Sequence, residues 1–472
     1  MLVSTRDEIK VSATKAIIEG LAKDGGLYIF DSFPKVDYQK LLNYSYQDLS
    51  IYILSLLLDD YTKEEIAYCV KEAYTNKFDT NELVETKTID DATILELYHG
   101  PTLAFKDMAL TILPHLLKVA KDKNKINKNT IILTATSGDT GGATLSGFST
   151  VDGIKLIVFY PNNLVSSLQE RQMLSYKSKD MKVIAYDGNF DDAQSFVKAM
   201  FKKYPNLSSS NSINLGRLVP QIVYYFYGYL KMCKNNEIIM GEKINVSVPT
   251  GNFGNILACY IAKNMGLPIN KLICASNLNN VLTDFFNEGV YDINREFYKT
   301  NSPSMDILIS SNLERLLYLL YGKTTKFMND LSNNKRFTLT KNQKEKLNDF
   351  YGDYLNEKET LDVIKDVYTK YNYLLDTHSA VSYGVYQKYK NKTLDNTKTL
   401  VISTASPYKF APDILKALGQ NVKEDAIREL ALYTNTSIPK VILEYKNNQK
   451  ELWKKEEVDK LFKKALEEYK YE

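Results

Sequence analysis

From Thr93 onward, short apolar runs alternate with longer amphipathic stretches, and this rhythm constrains the fold more tightly than any other feature of the chain. Ile131 to Thr134, Lys155 to Tyr160, Met181 to Tyr186, Ile244 to Val248, Lys271 to Ala275 and Thr399 to Ser403 read as buried strands. Strands of this kind separated by helical patterns predict an α/β fold, with parallel sheets covered by helices.

The segment before Thr93 has a different texture. Ser12 can cap a helix carrying Ala16, Ile17 and Leu21, Asp24-Gly25-Gly26 then turns the chain into Leu27 to Phe30, and a second helix covers Tyr46 to Leu58. A mainly helical unit is expected there. Lys323 to Lys370, rich in Lys, Asn, Asp and Glu, is expected to form solvent-facing helices and loops rather than more sheet. At the other end, Val458, Leu461, Phe462, Ala465 and Tyr469 recur at spacings that predict one amphipathic helix docked on the body.

With 472 residues, 44% of them hydrophobic, the chain has material for roughly three domain-sized units. Sixty Lys and Arg against 57 Asp and Glu leave a net charge of +3, too balanced to make a nucleic acid or an anionic membrane the expected partner. Cys69, Cys233, Cys259 and Cys274 are dispersed without a C-x-x-C pair, which argues against a metal site and against a disulfide framework. MLVSTRDEIK lacks an apolar signal core, and the run Leu49 to Leu58 is too short to cross a bilayer, so a cytoplasmic protein is expected.

Three segments carry chemistry. In HGPTLAFKD, His99 to Asp107, Lys106 lies between Phe105 and Asp107 and is followed by Met108, Ala109 and Leu110. An ammonium among such neighbours is partly desolvated, which lowers its pKa and frees a lone pair for attack on an aldehyde. In SVPTGNFGN, Ser247 to Asn255, a strand leads through Gly251 and Gly254 into a helical pattern, the layout of an anion site built from backbone N–H groups and a helix N-terminus. It matches neither the Rossmann nor the Walker glycine pattern. TATSGDTGGAT, Thr134 to Thr144, repeats the strand-loop-helix layout with hydroxyls at Ser137, Thr140 and Thr144, and a carboxylate would fit at its helix start. Asp139, inside that loop, calls for a proton donor or a cationic partner. Standing alone, either glycine loop could be an ordinary cap and turn.

HGPTLAFKD, TSGDTGGA and VPTGNFGN, in this order, resemble the threonine synthases, pyridoxal-phosphate enzymes with the tryptophan-synthase-β type fold. The resemblance extends through Ser212 to Tyr229, Asn301 to Leu317, Asp376 to Gly384 and Thr404 to Pro412, and AIIEGLAKDGGLYIF resembles the opening of that family. It implies two open, mainly parallel sheet subdomains covered by helices, the type II fold of pyridoxal-phosphate enzymes, behind an N-terminal, mainly helical unit. The expected division is residues 1–92 for that unit, 93–215 for the part bearing the lysine and the substrate-carboxylate loop, and 216–472 for the cofactor-phosphate part with a helical insertion and C-terminal helix.

The resemblance also implies roles. Lys106 would form the Schiff base with pyridoxal phosphate beside Phe105. Gly251, Asn252, Phe253, Gly254 and Asn255 would hold the cofactor phosphate, Asp139 would lie near the phenolic oxygen, and Thr404 would meet the ring nitrogen. A hydroxyl partner does not force the pyridine to stay protonated, so electron withdrawal is milder and the lysine handles more of the proton traffic. Ser137, Gly138 and Thr140 would receive the amino-acid carboxylate.

The implied reaction turns O-phospho-L-homoserine and water into L-threonine and phosphate in a monomer or homodimer, with no metal. Its substrate phosphate needs cations, for which Arg217, Arg315 and Lys409 are the candidates in the matched segments. One departure is Ser406, in TASPYKF, where the family's common form has histidine. Of the other histidines, His99 and His378 fall in matched motifs, and His115 on an apolar helix reads as core. Rival readings are a serine/threonine dehydratase, a phospholyase releasing a 2-oxo acid, and a non-catalytic protein on the same fold.

Overall fold

The strand runs read from the sequence all form, Met181–Tyr186 and Thr399–Ser403 with the bounds read and Thr130–Ala135, Ile154–Pro161, Ile244–Pro249 and Ile269–Ser276 one to three residues longer. Thr130–Ala135, Ile244–Pro249 and Thr399–Ser403 are buried at every position, as strands covered on both faces must be. The computed structural model describes residues 1–7, 9–136, 138–188, 190–204, 207–422 and 425–471.

These strands sort into two sheets. The larger has six strands in the order Phe350–Tyr354, Ile269–Ser276, Ile244–Pro249, Thr399–Ser403, Ala92–Glu96 and Glu85–Ile89, parallel throughout except for the hairpin joining the last two. The smaller has five parallel strands, Glu451–Trp453, Met181–Tyr186, Ile154–Pro161, Thr130–Ala135 and Leu207–Ser208. Leu215–Lys234, a helix buried along nearly its whole length, packs on the N-terminal helix Tyr46–Leu57, on Gly254–Asn264 beside the larger sheet, and on Asp107–Leu110 next to Lys106. It is the axle joining the units.

The linear division into 1–92, 93–215 and 216–472 differs from strand pairing at two points. Glu85–Ile89 and Ala92–Glu96 zip onto Thr399–Ser403, so the hairpin belongs to the larger sheet, and Glu451–Trp453 returns to pair with Met181–Tyr186 in the smaller one. The N-terminal unit also holds a three-stranded antiparallel sheet of Lys10–Val11, Leu2–Ser4 and Tyr28–Phe30 besides its helices. Within 323–370, the expectation of no further sheet fails at Phe350–Tyr354, which closes the edge of the larger sheet, and at Arg336–Thr338, which pairs with Val290–Asp292. Alternating tyrosines, Gly352 and Asp353 make FYGDY too polar to announce itself. The tail helix Val458–Glu468 does form, burying Val458, Phe462, Ala465 and Leu466.

Every chemical motif follows a parallel strand of one of these sheets at its carboxyl end: HGPTLAFKD after Ala92–Glu96, the Asp139 loop after Thr130–Ala135, the Gly251 loop after Ile244–Pro249, and TASPYKF after Thr399–Ser403. That is where open α/β sheets gather ligands. Among the described residues no helix is long and apolar enough to cross a membrane.

Candidate active site

Lys106 occupies the N-cap position of the short helix Asp107–Leu110, with its amine 5.0 Å from the centroid of the Phe105 ring. The sequence neighbour Asp107 is not its partner. That carboxylate turns inward, accepts from the Thr102 N–H at 2.8 Å and the Thr102 hydroxyl at 2.5 Å, and is pushed up to about 6 by burial. Gly100 makes room for it, since a Cβ there would come within 2.6 Å of the Asp107 side chain.

The carboxylate facing Lys106 is Asp139, at the start of the helix Asp139–Phe148, 3.5 Å from the amine. Asp139 sits closer to Lys409, at 2.8 Å, and also accepts from Gln169 Nε2 at 3.0 Å and from the Ser304 hydroxyl at 3.3 Å. Burial pushes the Asp139 carboxyl up, but Lys409 and Lys106 outweigh it and hold it far below the usual carboxylate range. Burial lowers the Lys106 pKa, and the nearby charges of Lys409 and Arg217 add to the fall against the pull of Asp139. Because Asp139 is committed to Lys409, Lys106 is left disposed to be a neutral amine.

The Gly251 loop has the expected form. Phe253 takes a left-handed conformation, φ 67°, just before the helix Gly254–Asn264, and its ring is buried among Phe286 and Phe350. Among the described residues no acceptor takes the backbone N–H groups of Asn252, Phe253, Gly254 or Asn255. The Asn255 side chain is held by its oxygen, which accepts from the hydroxyls of Tyr224 and Tyr225, so its buried Nδ2 is left without an acceptor among the described residues. A buried, oriented donor beside free amides at a helix start fits an anion.

In the Asp139 loop, the Thr136 hydroxyl accepts from the N–H groups of Gly138 and Gly141, both at 2.9 Å, and shapes the turn. Gly138 has φ 135°, a conformation glycine adopts freely. Ser137 lies outside the described residues. Thr140 follows Asp139 in the first turn of the helix.

Thr404 lies just past its strand. Its N–H donates to the Ser379 hydroxyl at 3.1 Å and its carbonyl accepts from Phe105 N–H at 2.8 Å, so the Lys106 segment and TASPYKF are tied together. Ser379 is held by buried Asp376, which also accepts from His378 Nδ1 at 2.9 Å, and His378 Nε2 accepts from Ser304 N–H at 3.1 Å. These bonds fix the His378 tautomer.

The three cations proposed for substrate phosphate end in different surroundings. Lys409, 1% exposed at its side chain, gives its amine to Asp139, to the Thr102 carbonyl at 2.8 Å and to Gln172 Oε1 at 3.4 Å, which uses its three N–H groups. Arg315 is fully buried and donates to the carbonyls of Tyr28, Ser212 and Ile213 and to Asn312 Oδ1. Both are therefore internal braces here rather than free anion donors. Arg217 differs: Nη1 donates to the Ser210 carbonyl at 2.7 Å, while its buried Nε has no partner among the described residues, and burial brings its pKa down to about 10. Gln169, Ser304, Asn312, Asp376 and Ser379 went unassigned from sequence, although all but Gln169 lie in quoted segments.

A partly desolvated lysine and an amide cradle, both at the carboxyl ends of parallel strands, define the class of type II pyridoxal-phosphate enzymes. The model of the family described as "Pyridoxal-phosphate dependent enzyme" matches residues 94–405, and that described as "Threonine synthase N terminus" matches residues 1–74. The chain is 36% identical to threonine synthase of Corynebacterium glutamicum over 89% of this chain and 91% of that one. It is 38% identical to "Threonine synthase-like 1" of Homo sapiens over 87% of its own length, and spans 59% of the length of that relative. The solved structure of PLP-bound threonine synthase from Brucella melitensis superposes with a TM-score of 0.87 at 32% identity, covering 99% of both chains. The chain belongs to the threonine synthase family of pyridoxal-phosphate-dependent enzymes.

Pyridoxal phosphate is the cofactor of this family, and the residues fit it: the free amides of 252–255 and Asn255 Nδ2 suit a phosphate, and Lys106 suits an aldehyde.

Proposed function

We propose that the chain converts O-phospho-L-homoserine and water into L-threonine and phosphate, with pyridoxal phosphate held by Lys106 and by the loop Gly251, Asn252, Phe253, Gly254 and Asn255. The observation that carries this reading is the division of labour at Asp139, which is neutralised by Lys409 and so leaves the buried Lys106 amine free of a full counter-charge.

Bound there, the cofactor would supply an electrophilic aldehyde and a conjugated ring that draws electron density from the substrate's Cα. The Lys106 amine would accept the Cα proton, hand it on to the conjugated system the cofactor would supply, and, neutral again, accept a Cβ proton, tasks that need a mobile stem in a dry pocket. Phe105 beside it excludes water. Thr404 serves the ring-nitrogen end, where a hydroxyl can donate or accept, and Asp139 lies beside the lysine end. Gly138 and Thr140, with Ser137, would take the substrate carboxylate, and Arg217, with its unpartnered Nε, is the cation best supported for an anionic group of the substrate.

Incubation of purified protein with O-phospho-L-homoserine, following phosphate and amino acid together, tests the reading. Threonine in equal yield with phosphate supports it, a 2-oxo acid in its place would assign the phospholyase reaction, and no phosphate release would refute both. Lys106→Ala is expected to bind the cofactor without a covalent bond and to make no threonine.

A further inference from the structure

The bonding of Arg315 has a chemical oddity. A guanidinium with no solvent exposure is costly to bury, and it is ordinarily matched by a carboxylate. Here Nε donates to the Tyr28 carbonyl at 2.9 Å, Nη2 to the Ile213 carbonyl at 2.6 Å, and Nη1 to the Ser212 carbonyl at 3.4 Å and to Asn312 Oδ1. Neutral oxygens from three parts of the chain take four of its five N–H groups, and glutamate neighbour Glu314 is turned to Arg6 and Thr5 instead. A side chain placed this way gathers the strand Tyr28–Phe30, the turn leading into the helix of Arg217, and Asn312.

Asn312 is the link that matters for chemistry. With its oxygen taken by Arg315, its Nδ2 can only point the other way, where it donates to the Asn252 carbonyl at 3.1 Å. The Asn312 backbone N–H donates to the same carbonyl at 3.1 Å. One residue away, the Ser310 hydroxyl takes the Gly251 carbonyl at 2.7 Å, and the Ser304 carbonyl lies so close that a Cβ on Gly251 would approach it to 2.6 Å. With the carbonyls of 251 and 252 pulled to this side, the peptide planes turn the following N–H groups to the other, where no acceptor among the described residues meets them.

We infer that Arg315 is a positioning residue for the cofactor-phosphate loop: by orienting the Asn312 amide it fixes the Asn252 carbonyl and with it the peptide plane that carries the Phe253 N–H, in the middle of the free amides of 252–255. This rests on the cofactor-phosphate role proposed for residues 251–255 and not on which reaction follows. It replaces the expectation that Arg315 grips the substrate. The unusual cost of burying the guanidinium is then spent on holding amides in a geometry that a flexible glycine loop would not keep by itself.

The test compares two cofactors that differ only in the phosphate. Apo protein is titrated with pyridoxal phosphate and with pyridoxal, following the visible absorbance of the lysine adduct, for the wild type, Arg315→Lys and Asn312→Ala. Loss of one oriented hydrogen bond to the loop is expected to weaken pyridoxal phosphate binding about tenfold in both variants, while pyridoxal binding changes by less than about twofold. If both aldehydes weaken in the same proportion, or neither does, Arg315 merely supports the fold and the inference is overturned. Asn312→Ala decides the matter should Arg315→Lys fail to fold. A wild-type protein showing no preference for pyridoxal phosphate over pyridoxal would instead remove the phosphate-loop role itself, a result separable from the first.

Discussion

Replacing Lys409 with methionine removes the nearer of the two cations on Asp139 and should turn Lys106 from a nucleophile into a counter-ion. At an effective dielectric of about 20, the pair at 2.8 Å is worth roughly 6 kcal/mol and the one at 3.5 Å roughly 5 kcal/mol before desolvation is charged against them. Removing one partner of a buried pair leaves the other uncompensated, at a cost of about 3–5 kcal/mol. Protonating Lys106 recovers part of that cost, and the like-charge repulsion from Lys409 that helps depress its pKa is gone as well. If about 2 kcal/mol is recovered, the Lys106 pKa rises and the neutral fraction of the amine falls roughly thirtyfold.

The assay is the rate of adduct formation between apo protein and pyridoxal phosphate across a pH series, with borohydride trapping to locate the bond at Lys106. The Lys409→Met profile is expected to move up by about one to two pH units, with the rate at neutral pH falling about ten- to thirtyfold. Adding Asp139→Asn removes the anion that holds the proton and should cancel the shift. A folded Lys409→Met protein with an unmoved profile would refute the reasoning, as would a shift that persists in the double variant.

Three further outcomes are expected. His99 lies between Asp79 and Glu96, which outweigh the opposing effect of burial and raise its pKa from 6.5 to about 9, so its stabilising charge is fully present below pH 6.5 and lost as pH rises through about 9. The loss should be on the order of 1 kcal/mol, given the exposure of Asp79, and His99→Gln should flatten melting temperature against pH in that window. His115 is the reverse case, a buried ring with neither nitrogen partnered among the described residues, lowered by burial from 6.5 to about 4, so it costs stability as pH falls from 6.5 towards 4. His115→Leu should remove that acid sensitivity and stabilise the protein by roughly 1 kcal/mol in denaturant titrations at neutral pH. Gly251→Ala sets a methyl group against the Ser304 carbonyl and should weaken pyridoxal phosphate binding at least about tenfold, read by the same titration, with melting of the apo protein far less affected.

What could be read from the sequence follows from which interactions are local. Buried strands declare themselves by composition, and Ser12 caps its helix as expected, its hydroxyl accepting from Lys15 N–H, because both signals are written within a few residues. The glycine loops were legible for the same reason: strand, turn and helix start are contiguous. Strand pairing is not local, and nothing in Glu451–Trp453 says that it will complete a sheet begun near residue 130. Asp139 was recognised as needing a cation, but its neighbours Gln169, Ser304 and Lys409 lie 30, 165 and 270 residues away, distances that only folding closes. Adjacency in sequence is no guide to pairing here, since Asp107 beside Lys106 serves Thr102.

The electrostatics of the site tie these levels together. The charges of Lys409 and Arg217 both act on the buried Lys106 amine, and Asp139 faces Lys409 and Lys106. Overall the chain is nearly neutral, so this local surplus of positive charge is made by topology, which brings cations from the carboxyl ends of different strands to one point. Burial first, and then the neighbouring positive charge, lower the affinity of Lys106 for its proton, while Arg217 Nε and Asn255 Nδ2 have no partner among the described residues and are donors a bound anion would satisfy. The buried pocket that lowers the Lys106 pKa, by desolvation first and by neighbouring cations second, is therefore also one that suits phosphate and carboxylate groups.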